Sequence, residues 1–72
     1  MDIKWREGYE IEVKTNGDEV TVSANRDGLL SLAEQLTALA GEAEGSHIHY
    51  DRFNSLEDGS AQLIIEKRAS GR

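Results

Sequence analysis

Seventy-two residues make room for one domain with one modest core, since a chain this short buries only about 60% of the surface it exposes when unfolded. An apolar content of 38% with 31% charged residues is a globular balance and excludes an intrinsically disordered chain. The formal charge is −6, and residues 7–58 hold twelve acids against three bases, a local net of −9 that repels phosphate backbones and disfavours nucleic-acid binding.

In chain order, Tyr9-Glu10-Ile11-Glu12-Val13-Lys14 alternates apolar and charged residues, the period of a half-buried strand. Asn16-Gly17 follows, a pair that tolerates positive φ and suits a tight turn, and Val20-Thr21-Val22-Ser23-Ala24 alternates again. The two runs predict a β-hairpin. Ile3 and Trp5 add a short N-terminal strand or lengthen the first one, with Gly8 as the turn or bulge between.

Asn25 is a good helix N-cap, and Asp27 places a negative charge in the first turn, where the helix dipole favours it. Leu29, Leu32, Ala33, Leu36, Leu39, Ala40 and Ala43 recur at helical spacing, with Glu34, Gln35 and Thr37 on the other side. The helix is predicted to run from residue 26 to 40 or 44, ending at Gly41 or Gly45. His47-Ile48-His49-Tyr50-Asp51 predicts a third strand. Residues 52–59 form a loop with Phe53 and Leu56 folded back onto the core, residues 60–67 a fourth strand, and residues 69–72 a frayed tail.

The fold class expected is therefore α+β: a ββαββ domain spanning residues 1–72, with a four-stranded antiparallel sheet covered on one face by a single helix. The core face of the sheet takes Tyr9, Ile11, Val13, Val20, Val22, Ile48, Tyr50, Leu63 and Ile65. The open face takes Glu10, Glu12, Thr21, His47, His49, Asp51, Gln62, Ile64 and Glu66.

Equipment for catalysis is sparse. There is no cysteine nucleophile, and none of the serines sits in a nucleophile elbow. Gly41-Glu42-Ala43-Glu44-Gly45 lacks the Lys-Ser/Thr ending of a phosphate loop and follows a helix. His47-x-His49-x-Asp51 is the sharpest pattern. Alternate strand residues share a face, and two imidazoles with a carboxylate are a common metal set, so a small metal-binding module or metal-dependent enzyme is one reading. Same-face neighbours in a strand lie about 6–7 Å apart and need further ligands to enclose an ion, so an exposed polar face is the plainer reading, with no metal and no cofactor.

Ile64 interrupts the polar face between Gln62 and Glu66 and is a candidate anchor for a protein interface, alongside His47, His49, Asp51 and the acidic pair Glu57-Asp58. Edge strands and Ile64 also allow pairing with a second copy as a homodimer. The lack of cysteine fits a reducing compartment, and neither a signal-peptide-length apolar run nor a bilayer-spanning segment is present, so a cytoplasmic protein without membrane attachment is expected.

Four stretches in order, Ser23-Ala24-Asn25-Arg26-Asp27-Gly28-Leu29-Leu30-Ser31-Leu32-Ala33, Gly45-Ser46-His47-Ile48-His49-Tyr50-Asp51, Leu56-Glu57-Asp58-Gly59-Ser60 and Leu63-Ile64-Ile65-Glu66-Lys67, resemble the immunity protein 32 family over about residues 20–67. The resemblance implies a bacterial protein of a polymorphic toxin system that neutralises a cognate toxin by binding it. It carries no catalytic residues. An acidic surface suits a basic partner such as a nuclease toxin.

Overall fold

The computed structural model describes residues 1–70. Strands β1 (Ile11–Asn16) and β2 (Glu19–Ala24) precede helix α1 (Arg26–Ala40), and strands β3 (His47–Tyr50) and β4 (Leu63–Glu66) follow. The class is α+β with the expected element order. The strands, however, form two separate two-stranded antiparallel sheets, β1–β2 and β3–β4, where a single four-stranded sheet was expected. Two further expectations change: residues 1–10 contain no strand, and β4 begins at Leu63 instead of Ser60. The predicted frayed tail reaches residues 71–72, which lie outside the described residues.

The first hairpin turns on Gly17-Asp18, with Gly17 at φ 63° and Asn16 paired to Glu19. A left-handed φ this tight is what glycine supplies without steric cost. The free edge of β1 does not stay empty. The Ile11 carbonyl accepts from Glu57 N at 2.9 Å, the Val13 carbonyl from Ala61 N at 2.8 Å, and Val13 N donates to Ser60 Oγ at 3.1 Å. The loop leading into β4 thus ties the two sheets together by side-chain and irregular backbone bonds. Why the ladder is broken there follows from the chain: Asp58-Gly59 makes a turn, with Gly59 at φ 85°, so residues 57–61 cannot stay extended alongside β1.

Asn25 joins β2 to α1. Its Oδ1 accepts from Gly28 N at 2.8 Å as the helix cap and from Glu10 N at 3.0 Å, and its Nδ2 donates to the Gly8 carbonyl at 2.9 Å. One side chain therefore fixes the helix start and the chain entering β1. Asn25→Ala should cost more than the roughly 1 kcal/mol of an ordinary cap, because it also unpairs Glu10 N and Gly8 O. Asn25→Asp keeps the acceptor and should lose less. Thermal melts of the two variants order them, and equal losses would contradict the bridging role.

At its other end α1 stops at Gly41, and Lys67 Nζ, from just beyond β4, donates to the carbonyls of Ala40 and Glu42 at 2.7 Å each. A cation at the negative end of the helix dipole pins α1 to the second hairpin. The core between helix and hairpins holds Ile11, Val13, Leu39, Ile48, Tyr50 and Leu56, with Trp5, Tyr9, Ala24, Leu32, Ala61, Leu63 and Ile65 packed against it.

Three packing expectations fail. Val20 and Val22, assigned to the core, are exposed at 59% and 40%. They do share the inward face, opposite Thr15 and Val13. But α1 leaves β2 after one residue and crosses towards β4, so it covers only the Ile11–Ala24 end of the hairpin. The buried stripe of α1 is Gly28, Ser31, Gln35 and Leu39, whereas Leu29 and Leu36 are exposed. Phe53, expected against the core, is 84% exposed and lies under the Arg52 guanidinium, 4.9 Å from the ring centroid; only Leu56 folds back.

The helix rotates because the N-terminal segment lies along it. Ser31 is fully buried; its Oγ accepts from Arg6 N and donates to the Asp27 carbonyl, each at 2.8 Å. Gln35 Nε2 donates to the Lys4 carbonyl and its Oε1 accepts from Tyr50 Oη, both at 2.8 Å. Trp5 stacks on Tyr9 at 4.3 Å and meets Tyr50 edge-on at 6.0 Å. A segment without regular structure has backbone groups to satisfy, and these two polar side chains satisfy them.

Burial raises the Tyr50 phenol above its ordinary value of 10.0. The folded protein then holds this proton at a pH where the unfolded chain has begun to release it. The associated stability is complete below pH 10 and is lost as pH rises through the folded value. Urea unfolding of the wild type from pH 8 to 11 should therefore fall off more steeply than that of Tyr50→Phe. Parallel curves would contradict it.

Candidate functional site

The outward face of the second hairpin is set by its register. His47 pairs with Glu66, and His49 with Ile64, while Ile48 and Tyr50 point inward opposite Ile65 and Leu63. His47, His49, Ile64 and Glu66 therefore share one exposed face, as the alternation requires. Ile64 is 60% exposed and stands directly across from His49.

The three members of the His-x-His-x-Asp pattern are engaged separately. His47 Nδ1 donates to the Gly45 carbonyl at 3.3 Å, and His49 Nε2 donates to Gln62 Oε1 at 3.0 Å. Asp51 lies just past β3. Its Oδ1 accepts from Phe53 N at 2.8 Å and Asn54 N at 3.0 Å, which makes it the organiser of the turn that follows. Among the described residues no group of three or more His, Cys, Asp or Glu is placed to hold a metal ion. Asp51 thus leaves the set that sequence alternation gave it, and the two imidazoles are polar surface groups, each with a neutral partner.

Of the acidic pair, Glu57 uses its backbone N to bond Ile11 and its side chain borders a shallow open depression with Glu10, Glu12, Ser23 and Asn25. Asp58 is exposed at the adjoining turn. Glu10 and Glu12 were read as open-face residues, but their meeting with Glu57 was not, because it depends on the loop bonding along β1. Lys14, 3.7 Å from Glu12, is the one cation paired within this group among the described residues. Three carboxylates around a concave, open surface suit a cationic group arriving from outside.

A small α+β domain with a polar open face, an exposed isoleucine within that face and an acidic depression has the make-up of a protein-binding module. The chain belongs to the immunity protein 32 family: the family model, Immunity protein 32, matches residues 19–68. That span takes in β2, α1, β3 and β4, and with them His47, His49, Ile64 and Glu57, while Glu10 and Glu12 of the depression lie outside it. No curated protein and no solved structure matches the chain significantly. Membership implies an immunity role. No helix among the described residues is long and apolar enough to cross a membrane.

Proposed function

We propose that this protein neutralises a cognate bacterial toxin of a polymorphic toxin system by binding it in the cytoplasm of the producing cell, and that it has no enzymatic activity of its own. The observation that carries this reading is the family match over residues 19–68. The contact surface proposed is the outward face of His47, His49 and Ile64, continued by Asp51 and the acids Glu57 and Asp58. Ile64 supplies the apolar anchor and the acids the rim, in keeping with the usual division of a binding surface.

The toxin chemistry that best suits this surface is basic. A local net charge of −9 over residues 7–58 speeds the encounter with a cationic partner and places carboxylates at its Arg and Lys side chains. A nuclease, itself built to bind phosphates, has that chemistry. Self-association as a homodimer is part of the same proposal.

Co-expression tests the function. Cells carrying the toxin encoded beside this chain should grow when the chain is expressed and die when it is not. Unchanged killing, with the chain present and folded, would sink the reading.

A further inference from the structure

We propose that β2 is an interface strand: two copies of this chain join along their β2 edges, antiparallel about a twofold axis, and the exposed apolar stripe of α1, which starts at Leu29 beside the end of β2, adds to the seam. This goes beyond the toxin-binding reading and does not rest on it.

Two observations converge on this edge. The first is backbone pairing. Asn25 N donates to the Glu10 carbonyl, while Ile11 and Val13 turn their backbone groups the other way, to the loop of residues 57–61. In an antiparallel ladder these directions alternate, so Glu12, Lys14 and Asn16 bond across to Ser23, Thr21 and Glu19. The N–H and C=O groups of Val20 and Val22 must then point outward, and among the described residues no backbone group bonds them. The second is apolar exposure. Val20, Val22, Leu29 and Leu36 are all at least 40% exposed, and Ala33 and Ala40 are exposed as well. At about 100° per residue Leu29, Ala33, Leu36 and Ala40 fall on one stripe of α1. The N-terminal segment occupies the opposite flank, through Ser31, Glu34 and Gln35.

A second copy is the occupant because the surface lacks charge. The chain carries −6 overall, yet these six residues carry none, so two like-charged molecules can meet here without bringing carboxylates together. Register agrees. Centring the pair on Thr21 sets Val20 opposite Val22 and Glu19 opposite Ser23; centring it on Val22 sets Glu19 opposite Asn25. Neither places an acid against an acid. The edge also lacks the lysine, proline or bulge with which monomeric proteins guard an exposed strand. A core of six buried apolar residues gains from the added burial.

Sedimentation equilibrium of the free protein from 5 µM to 1 mM tests it. The expected mass rises to twice 8.0 kDa, and Val20→Lys or Leu29→Glu weakens association at least tenfold. Both sites are exposed, so far-UV circular dichroism should stay unchanged. Ile64→Lys, on the outward face of the other hairpin, should leave the dimer intact. Hydrogen exchange adds a direct reading: the Val20 and Val22 amides should be protected in the dimer and exchange freely in Val20→Lys. A strictly monomeric mass at 1 mM would overturn the proposal. So would a dimer that survives both variants, or one broken by Ile64→Lys. If the free chain is monomeric and Val20→Lys abolishes toxin capture, the edge belongs to the toxin and the proposal fails.

Discussion

Gly28→Ala should unfold this protein at a temperature roughly 10–20 °C lower than the wild type. Gly28 lies in the first turn of α1 against β1, and a Cβ built there would come 2.5 Å from the Glu10 carbonyl, 2.9 Å from Ile11 Cγ1 and 3.1 Å from Ala24 Cβ. Two effects oppose. Alanine favours a helix over glycine by about 1 kcal/mol, which taken alone is stabilising. The clash is with a backbone oxygen held in place by its bond from Asn25 N and with two packed side chains, none of them free to swing away. Overpacking of this kind costs about 1–3 kcal/mol, sometimes more, and here it must also part the helix from the strand. With a contact of 2.5 Å to a fixed backbone oxygen the clash lies above that usual range, at about 3–4 kcal/mol, and the net loss of about 2–3 kcal/mol after the helix gain corresponds to the stated shift for a domain of this size. Gly41→Ala is the control. A Cβ there meets only the Ala38 carbonyl, at an ordinary 3.6 Å, and the residue is already right-handed at φ −90°. Its melting temperature should stay level or rise slightly.

Gln35→Leu is expected to cost about 2–4 kcal/mol, although an amphipathic helix drawn from the sequence puts Gln35 in solvent, where the change is harmless. In the fold Gln35 is 3% exposed and joins three layers: Nε2 holds the Lys4 carbonyl and Oε1 receives the Tyr50 hydroxyl. Leucine fills the space but leaves the Tyr50 hydroxyl unpaired in the interior, at about 1–3 kcal/mol, and releases the part-buried Lys4 carbonyl from its anchor on the helix. Tyr50→Phe removes that orphan while keeping the ring against Trp5. The double variant Gln35→Leu/Tyr50→Phe should therefore lose less than the sum of the singles in chemical denaturation. Strict additivity would mean that the two side chains do not act as a pair.

These two residues also mark where the sequence was legible and where it was not. Local signals carried through: alternation placed β1 to β4 within a few residues, Asn25 was read as the cap, and Asp27 as the acid of the first turn. The His47/His49/Ile64 face was equally legible, because a strand's period of two needs no tertiary information. What failed depended on contacts between distant segments. The leucine stripe pointed to Leu29 and Leu36, yet the helix turns Ser31 and Gln35 inward to satisfy Lys4 and Arg6, residues with no regular structure and hence no periodic signature. Asp51 extended a pattern that the strand does not, since its carboxylate serves the turn after β3. Glu57 came to Glu10 and Glu12 through bonds of the 57–61 loop to β1, and the same loop is why two hairpins stand where one sheet was expected. Val20 and Val22 alternate correctly and remain uncovered, since coverage is set by the path of α1 and not by the strand.

The toxin itself gives the most direct test of the role proposed for the outward face. Purified toxin, with its own activity as the readout, is titrated with purified protein. Loss of that activity should be complete at about one equivalent, with Ile64→Glu or a joint Glu57→Lys/Asp58→Lys change raising the amount needed. Full toxin activity in the presence of a large excess of folded protein would contradict it.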